Sequence, residues 1–240
     1  MLAARLVQPP RRPYNSLMHI LLFDIDGTLI RSGGAGKHAL ESALAEVFEL
    51  DDVHDGIPYS GRTDTAIARE LLAVHGIEPS EANLLRLKEA YLEWLPHSLR
   101  AFEGVVLPGV VDLLNRLRGV RAAVGLLTGN IRRGAEHKLR HFGLWEHFGF
   151  GGFGDDTLNR DDVARAALRE TERYLRRPVD PRDVWVIGDT PLDVQCARAI
   201  GARAVAVCTG WHCLDELHAC EPDWVLNDLS DTAALLERWG

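Results

Sequence analysis

His19-Ile-Leu-Leu-Phe-Asp24-Ile-Asp26-Gly-Thr28-Leu-Ile30 is the stretch on which the fold turns. Residues 20–23 are an apolar run too short for a helix, and they stop abruptly at acids and a Gly-Thr turn. That pattern reads as a buried strand with its charges gathered at the carboxyl end. While the extended conformation persists, period-2 geometry aims Asp24 and Asp26 the same way. Two carboxylates in one small volume repel unless a cation neutralises them or one keeps a proton. The pair therefore suggests a hard metal, acid/base work, or both.

Outward from that strand, residues 121–127, 183–187, 202–207 and 224–226 are further short apolar runs bounded by Gly, Pro or Asp. Helical periodicity covers 110–117, 132–142, 162–175, 192–200 and 229–238 between them. Such alternation predicts an α/β domain with a mostly parallel sheet and helices on both faces, and ligands in such folds bind beyond the carboxyl ends of the strands. Residues 37–48, 65–75 and 81–99 break the rhythm, because three helical patterns follow one another with no strong strand between them. The expected organisation is a core of residues 19–33 plus 105–240 interrupted by an all-helical cap at 34–104, a candidate lid. Residues 1–18 read as a tail: the first seventeen hold three arginines, three prolines and no acid. The prolines break any amphipathic targeting helix.

Composition bounds the function classes. The chain has 240 residues, 46% hydrophobic and 26% charged, which is ordinary for a globular protein able to bury a sizeable core. A net charge of −8 argues against a face built for a phosphate backbone, so nucleic acid is not an expected partner. No apolar run approaches the roughly 20 residues of a membrane span, so no membrane partner is expected either. Cys196, Cys208, Cys213 and Cys220 lack the paired spacings of a zinc site and read as small buried hydrophobes in a reduced, cytoplasmic protein. The six tryptophans, Trp94, Trp211 and Trp239 among them, read first as packing residues.

Two more strand ends carry chemistry. Gly188-Asp189-Thr190 closes an apolar run and Asp193 follows at the start of a helix, so a second strand delivers carboxylates to the same edge; this oxygen-rich set fits Mg²⁺. Thr128-Gly129-Asn130 ends a third strand and offers a hydroxyl and backbone N–H groups to an anion. Arg160 precedes a helix and can supply the fixed positive charge a phosphoryl group requires. In the insert, Gly61-Arg62-Thr63-Asp64 is a turn entering a helix, and Arg62 with Thr63 forms a candidate substrate-selecting element. Gly149-x-Gly151-x-x-Gly154 matches a dinucleotide pattern but opens no helix after a first strand, and Gly33-Gly34-Ala35-Gly36-Lys37 reads as a hinge for the insert.

The ordered set Asp24-x-Asp26-Gly27-Thr28, Thr128, Arg160 and Gly188-Asp189-x-x-x-Asp193 resembles the haloacid dehalogenase-like hydrolase superfamily, in its phosphoglycolate phosphatase-like branch. The resemblance implies a Rossmann-like, doubly wound sheet and a Mg²⁺-dependent phosphatase acting on a small phosphorylated metabolite. It implies Asp24 as nucleophile, Asp26 as acid and then base, and Thr128 with Gly129, Asn130 and Arg160 on the phosphoryl oxygens. The Asp26 carbonyl, Asp24 and Asp189 are the implied metal ligands, supported by Asp193. The chain departs from the family at Arg160, where lysine is usual. Asp26 disfavours a dehalogenase, because carbon–halogen hydrolysis needs no acid for an oxygen leaving group. A phosphomutase of the β-phosphoglucomutase type and a noncatalytic phosphate-binding relative are the alternative readings.

Overall fold

The computed structural model describes residues 18–53 and 56–239, so the expected tail, apart from Met18, lies outside the described residues. The strands are β1 (His19–Phe23), β2 (Ile30–Arg31), β3 (Val105–Val106), β4 (Ala122–Leu127), β5 (Gly151–Gly152), β6 (Val184–Gly188), β7 (Arg203–Val207) and β8 (Trp224–Leu226). The α-helices are α1 (Ala35–Phe48), α2 (Asp64–Val74), α3 (Glu81–Ala101), α4 (Val110–Leu117), α5 (Arg132–His141), α6 (Arg160–Leu175), α7 (Pro191–Ala199), α8 (Leu214–Ala219) and α9 (Thr232–Trp239). Six strands form one sheet in the order β5-β4-β1-β6-β7-β8, and every pairing is parallel. This is the expected Rossmann-like, doubly wound α/β architecture.

Alternation along β1 explains why both faces are covered. Leu21 and Phe23 join α4, α5 and α9 residues in one core, whereas Ile20 and Leu22 join α6 and α7 residues in the other. A strand buried on both faces has no polar side to show, which is why it reads as a continuous apolar run. Register then sets the position of the chemistry. Phe23 lies opposite Leu126 of β4 and Ile187 of β6, so Asp24, Thr128 and Asp189 emerge within two residues of one another at the same sheet edge.

Strand β5 was not expected, since glycine is a poor strand former. Here it is the residue that fits: a Cβ on Gly152 would lie 2.5 Å from the Val163 carbonyl of α6. Strands β2 and β3 also escaped the sequence reading because each has two residues. They pair antiparallel, Ile30 with Val106 and Arg31 with Val105, and clasp the chain where it leaves for α1 and where it returns from α3. Gly34 caps α1 in the left-handed conformation, consistent with the hinge reading. Helices α1, α2 and α3 follow one another without an intervening strand and share an apolar cluster, including Leu44, Leu71 and Leu95, that also takes in Ile131.

Among the described residues no helix is long and apolar enough to cross a membrane. The four cysteines are free, but the expectation that all are buried holds for Cys196 alone; Cys213 is exposed. Trp239 is buried against Trp185, Trp94 donates to Glu46, and Trp211 is 90% exposed.

Candidate active site

The Asp24 N–H donates to the Ile187 carbonyl at 2.9 Å, carrying the sheet one residue past β1, and the residue is 4% exposed. Ile25 turns into the core, and its carbonyl accepts from the N–H groups of Thr28, Leu29 and Ile30, a tight loop that returns Asp26 to the rim. The second carboxylate pair arises at β6. Asp189 is buried and accepts from the Thr28 hydroxyl at 2.9 Å. Asp193 is the third residue of α7 and completes a capping box, its Oδ2 accepting from the Thr190 N–H at 3.0 Å and hydroxyl at 2.7 Å.

Oxygen atoms of Asp24, Asp189 and Asp193 lie within 4.8 Å of one another. Three buried carboxylates so close leave negative charge in excess of nearby cations, and the titration behaviour reflects it. Burial pushes the Asp24 carboxyl up to about 6; Arg160 opposes this, while Asp193 and Asp26 reinforce it. Burial, then Asp193 and Asp24, hold Asp189 well above the ordinary carboxylate range. Asp24 Oδ1 accepts no hydrogen bond, although it lies 3.0 Å from an Arg160 nitrogen as an ion pair. The backbone also clears space here. A Cβ on Gly210 would fall 1.7 Å from Asp189 Oδ2, and one on Gly27, which adopts φ +86°, would fall 2.3 Å from the same atom. The unsatisfied oxygen, the hard donors and this clearance fit a divalent cation.

Arg160 opens α6 behind its Asn159 cap and is 5% exposed. One terminal nitrogen pairs with both Asp24 and Asp193, and the other donates to the Gly61 carbonyl at 3.1 Å. Burial alone would lower its pKa, but Asp193 and Asp24 more than offset that, so it stays charged. The helix start places the arginine at the acidic centre, and its Nε is buried with no partner.

Lys138 was not singled out by sequence reasoning. It lies on the face of α5 that also carries buried Gly134, Ala135 and Leu139, and its side chain is 6% exposed. Its ammonium donates to Asp26 Oδ2 at 2.6 Å and to Asn130 Oδ1 at 2.7 Å. The Asn130 amide in turn donates to Asp26 Oδ2 at 2.8 Å and to the Thr128 hydroxyl at 2.9 Å. A lysine on the buried stripe of a helix was the available sign, but the surrounding Arg132, Arg133, His137 and Arg140 make the segment read as a solvated basic surface.

A cavity of about 570 Å³ lies between core and insert, with Asp24, Asp26, Arg160 and Asp189 on one side and Tyr59 and Tyr91 on the other. Gly129 and Asn130 line it, whereas Thr128 is fully buried beneath them. Arg62 reaches the cavity wall but is engaged by the Pro58 carbonyl at 3.0 Å and Glu70 at 2.6 Å. Thr63 departs from the substrate-selecting expectation. It is 1% exposed, caps α2 by accepting from the Ala66 N–H, and donates to the Thr157 carbonyl, because the turn needs an N-cap more than the cavity needs a hydroxyl. Asp64 ties the insert to the core: its N–H donates to the Gly129 carbonyl and its carboxylate accepts from the Ile131 N–H.

This arrangement agrees with the comparisons. The family model described as haloacid dehalogenase-like hydrolase matches residues 21–207. Phosphoglycolate phosphatase of Synechococcus elongatus is 32% identical over 215 residues, which is 89% of this chain and 95% of that protein. Phosphoglycolate phosphatase 1 of Pseudomonas aeruginosa is 29% identical, over 90% of this chain and 78% of that protein. Among solved structures, CbbY from Rhodobacter sphaeroides in complex with phosphate superposes with a TM-score of 0.72 at 21% identity, covering 89% of this chain and 96% of that one. The chain belongs to the haloacid dehalogenase-like hydrolases.

Proposed function

We propose that this hydrolase is a Mg²⁺-dependent phosphatase of small-molecule phosphate monoesters, working through an aspartyl-phosphate on Asp24. Phosphoglycolate is one candidate ester, named by the relatives in two organisms. The observation that carries the reading is the gathering of Asp24, Asp26, Arg160 and Asp189 around one cavity. Asp24, Asp189 and the Asp26 carbonyl are the proposed metal ligands, with Asp193 holding Arg160 in place. The ion, when bound, offsets carboxylate charge and the charge on the phosphoryl oxygens.

The chain's own groups supply the remaining steps. An Asp24 carboxylate oxygen attacks phosphorus and the P–O bond to the alcohol breaks, its oxygen taking a proton from Asp26. Asp26, now a carboxylate, takes a proton from water as that water attacks the same phosphorus, and the bond to Asp24 breaks to release inorganic phosphate. Arg160 provides fixed positive charge beside Asp24, while Gly129 and Asn130 present polar groups to the phosphoryl oxygens. Residues 34–104, as a cap, would exclude water from the cavity. Free cysteines suit a reducing, cytoplasmic setting.

Phosphate release from a panel of small esters, with Mg²⁺ and with chelator, tests the reading. Metal-dependent release supports it. Absence of release from every ester rejects it, and turnover only with a sugar bisphosphate would replace it with a phosphomutase.

A further inference from the structure

We propose that Lys138 is a positioning residue that, with Asn130, fixes the Asp26 carboxyl group for proton transfer to the leaving oxygen. The inference rests on the acid/base reading of Asp26 given above and assigns a role to a residue outside the motifs that define the site.

A buried ammonium is costly unless paired and hydrogen-bonded. Lys138 meets both conditions by donating to Asp26 and Asn130, with the Asp64 carboxylate contributing to the local field.

The bonds fall in a particular pattern. Lys138 and the Asn130 amide both donate to Oδ2 of Asp26, at 2.6 and 2.8 Å, and among the described residues Oδ1 accepts nothing. One oxygen is therefore anchored and the other is left without a hydrogen-bond donor, on a residue that lines the cavity. The Asp26 side chain is 39% exposed, so without such an anchor it would sample several rotamers at the rim. Proton transfer needs heavy atoms about 3 Å apart in a defined direction, and a carboxylate left to wander loses much of that advantage. The anchor is held because Lys138 projects from the buried face of the last turn of α5 and Asn130 is itself held through the Thr128 hydroxyl. The same two residues thus connect the acid/base group to the loop that lines the phosphoryl end of the cavity.

Two other roles are open to a buried lysine here, and they behave differently. A lysine that binds a second anion of the substrate would matter only for esters that carry one. A lysine that merely stabilises the fold would affect all esters alike.

The test uses ethyl phosphate, a poor leaving group with no second anion, and p-nitrophenyl phosphate, a good leaving group, with Mg²⁺ present. Values of kcat/KM are compared because they report the steps through the first loss of the alcohol. Lys138→Met should lower kcat/KM for ethyl phosphate by about tenfold or more, and for the aryl ester by no more than about threefold. In an Asp26→Asn background the same replacement should cost less than about twofold on the aryl ester, since there is no longer an acid to position. Lys138→Gln, which keeps a donor, is measured beside it and should show the same selectivity if the methionine variant folds poorly. Equal losses on the two esters, unchanged ethyl phosphate turnover, or full additivity with Asp26→Asn overturns the inference while leaving the phosphatase reading standing. A wild-type protein that releases phosphate from no ester overturns both.

Discussion

Replacing Arg160 with methionine removes the cation shared by Asp24 and Asp193 and leaves their carboxylates buried without it. Breaking one side of a buried pair typically costs about 3–5 kcal/mol. The cost should depend on pH, because Asp24 can escape it by keeping a proton. Burial already raises the Asp24 carboxyl to about 6 against Arg160's opposing pull, and losing the arginine raises it further. A carboxyl whose folded pKa lies above its unfolded value binds its proton more tightly in the folded state. Stability is therefore retained at low pH and lost as pH rises from the unfolded value toward the folded one, by about 1.4 kcal/mol per pH unit across that window. The wild-type window closes near 6, whereas in the variant it extends higher. The metal-free variant should thus be less stable than wild type by about 3–5 kcal/mol at pH 8 and by distinctly less at pH 5. Urea unfolding of both proteins at the two pH values measures this. A penalty that is equal at pH 5 and pH 8, or below about 1 kcal/mol at both, would refute the electrostatic account of the site.

The latch at Asp64 gives a second, separable titration. Burial pushes its carboxyl up to about 6, with Lys138 and the Ile131 N–H opposing, and the side chain keeps some surface at the cavity wall. Asp64→Asn should therefore stabilise the protein at pH 7 by about 1–2 kcal/mol, discounted from the full shift for that exposure, and flatten the fall in stability between pH 4 and 6; thermal melts that show destabilisation at pH 7 would contradict it. Gly210→Ala places a methyl where Asp189 Oδ2 now sits, 1.7 Å away, so it should reduce Mg²⁺-dependent turnover by about tenfold or more with circular dichroism little changed. Wild-type kinetics in that variant would show that Asp189 is free to move and that the clearance has no function.

Much of this site was legible in the chain because its carboxylates terminate strands. Residues 20–23 and 184–187 are apolar on both faces, so their boundaries, and the acids just past them, stand out as sharply as the structure places them. Register does the rest, since neighbouring parallel strands that end level bring Asp24 and Asp189 together without further information. Arg160 was legible as a cation before a helix, and the structure brings it to Asp24 and Asp193. Lys138 was not, because a helix full of basic residues hides one whose direction is set by the packing of Gly134 and Leu139. Thr63 failed in the opposite sense: a hydroxyl beside Arg62 looked like part of a recognition element, but local capping decides where it points. Strand β5 was invisible for a third reason, since its glycines are dictated by contact, Gly152 with α6 and Gly151 with Leu126 of β4, rather than by strand propensity.

The central claim is that Asp24 carries the phosphoryl group between the two half-reactions. Protein mixed with Mg²⁺ and a turned-over ester, quenched in acid within the first turnovers and digested for mass spectrometry, should carry one added phosphoryl group on the peptide containing Asp24, and Asp24→Asn should carry none and release no phosphate. Phosphate release by Asp24→Asn at the wild-type rate, or a phosphoryl group found on another residue, would contradict the account.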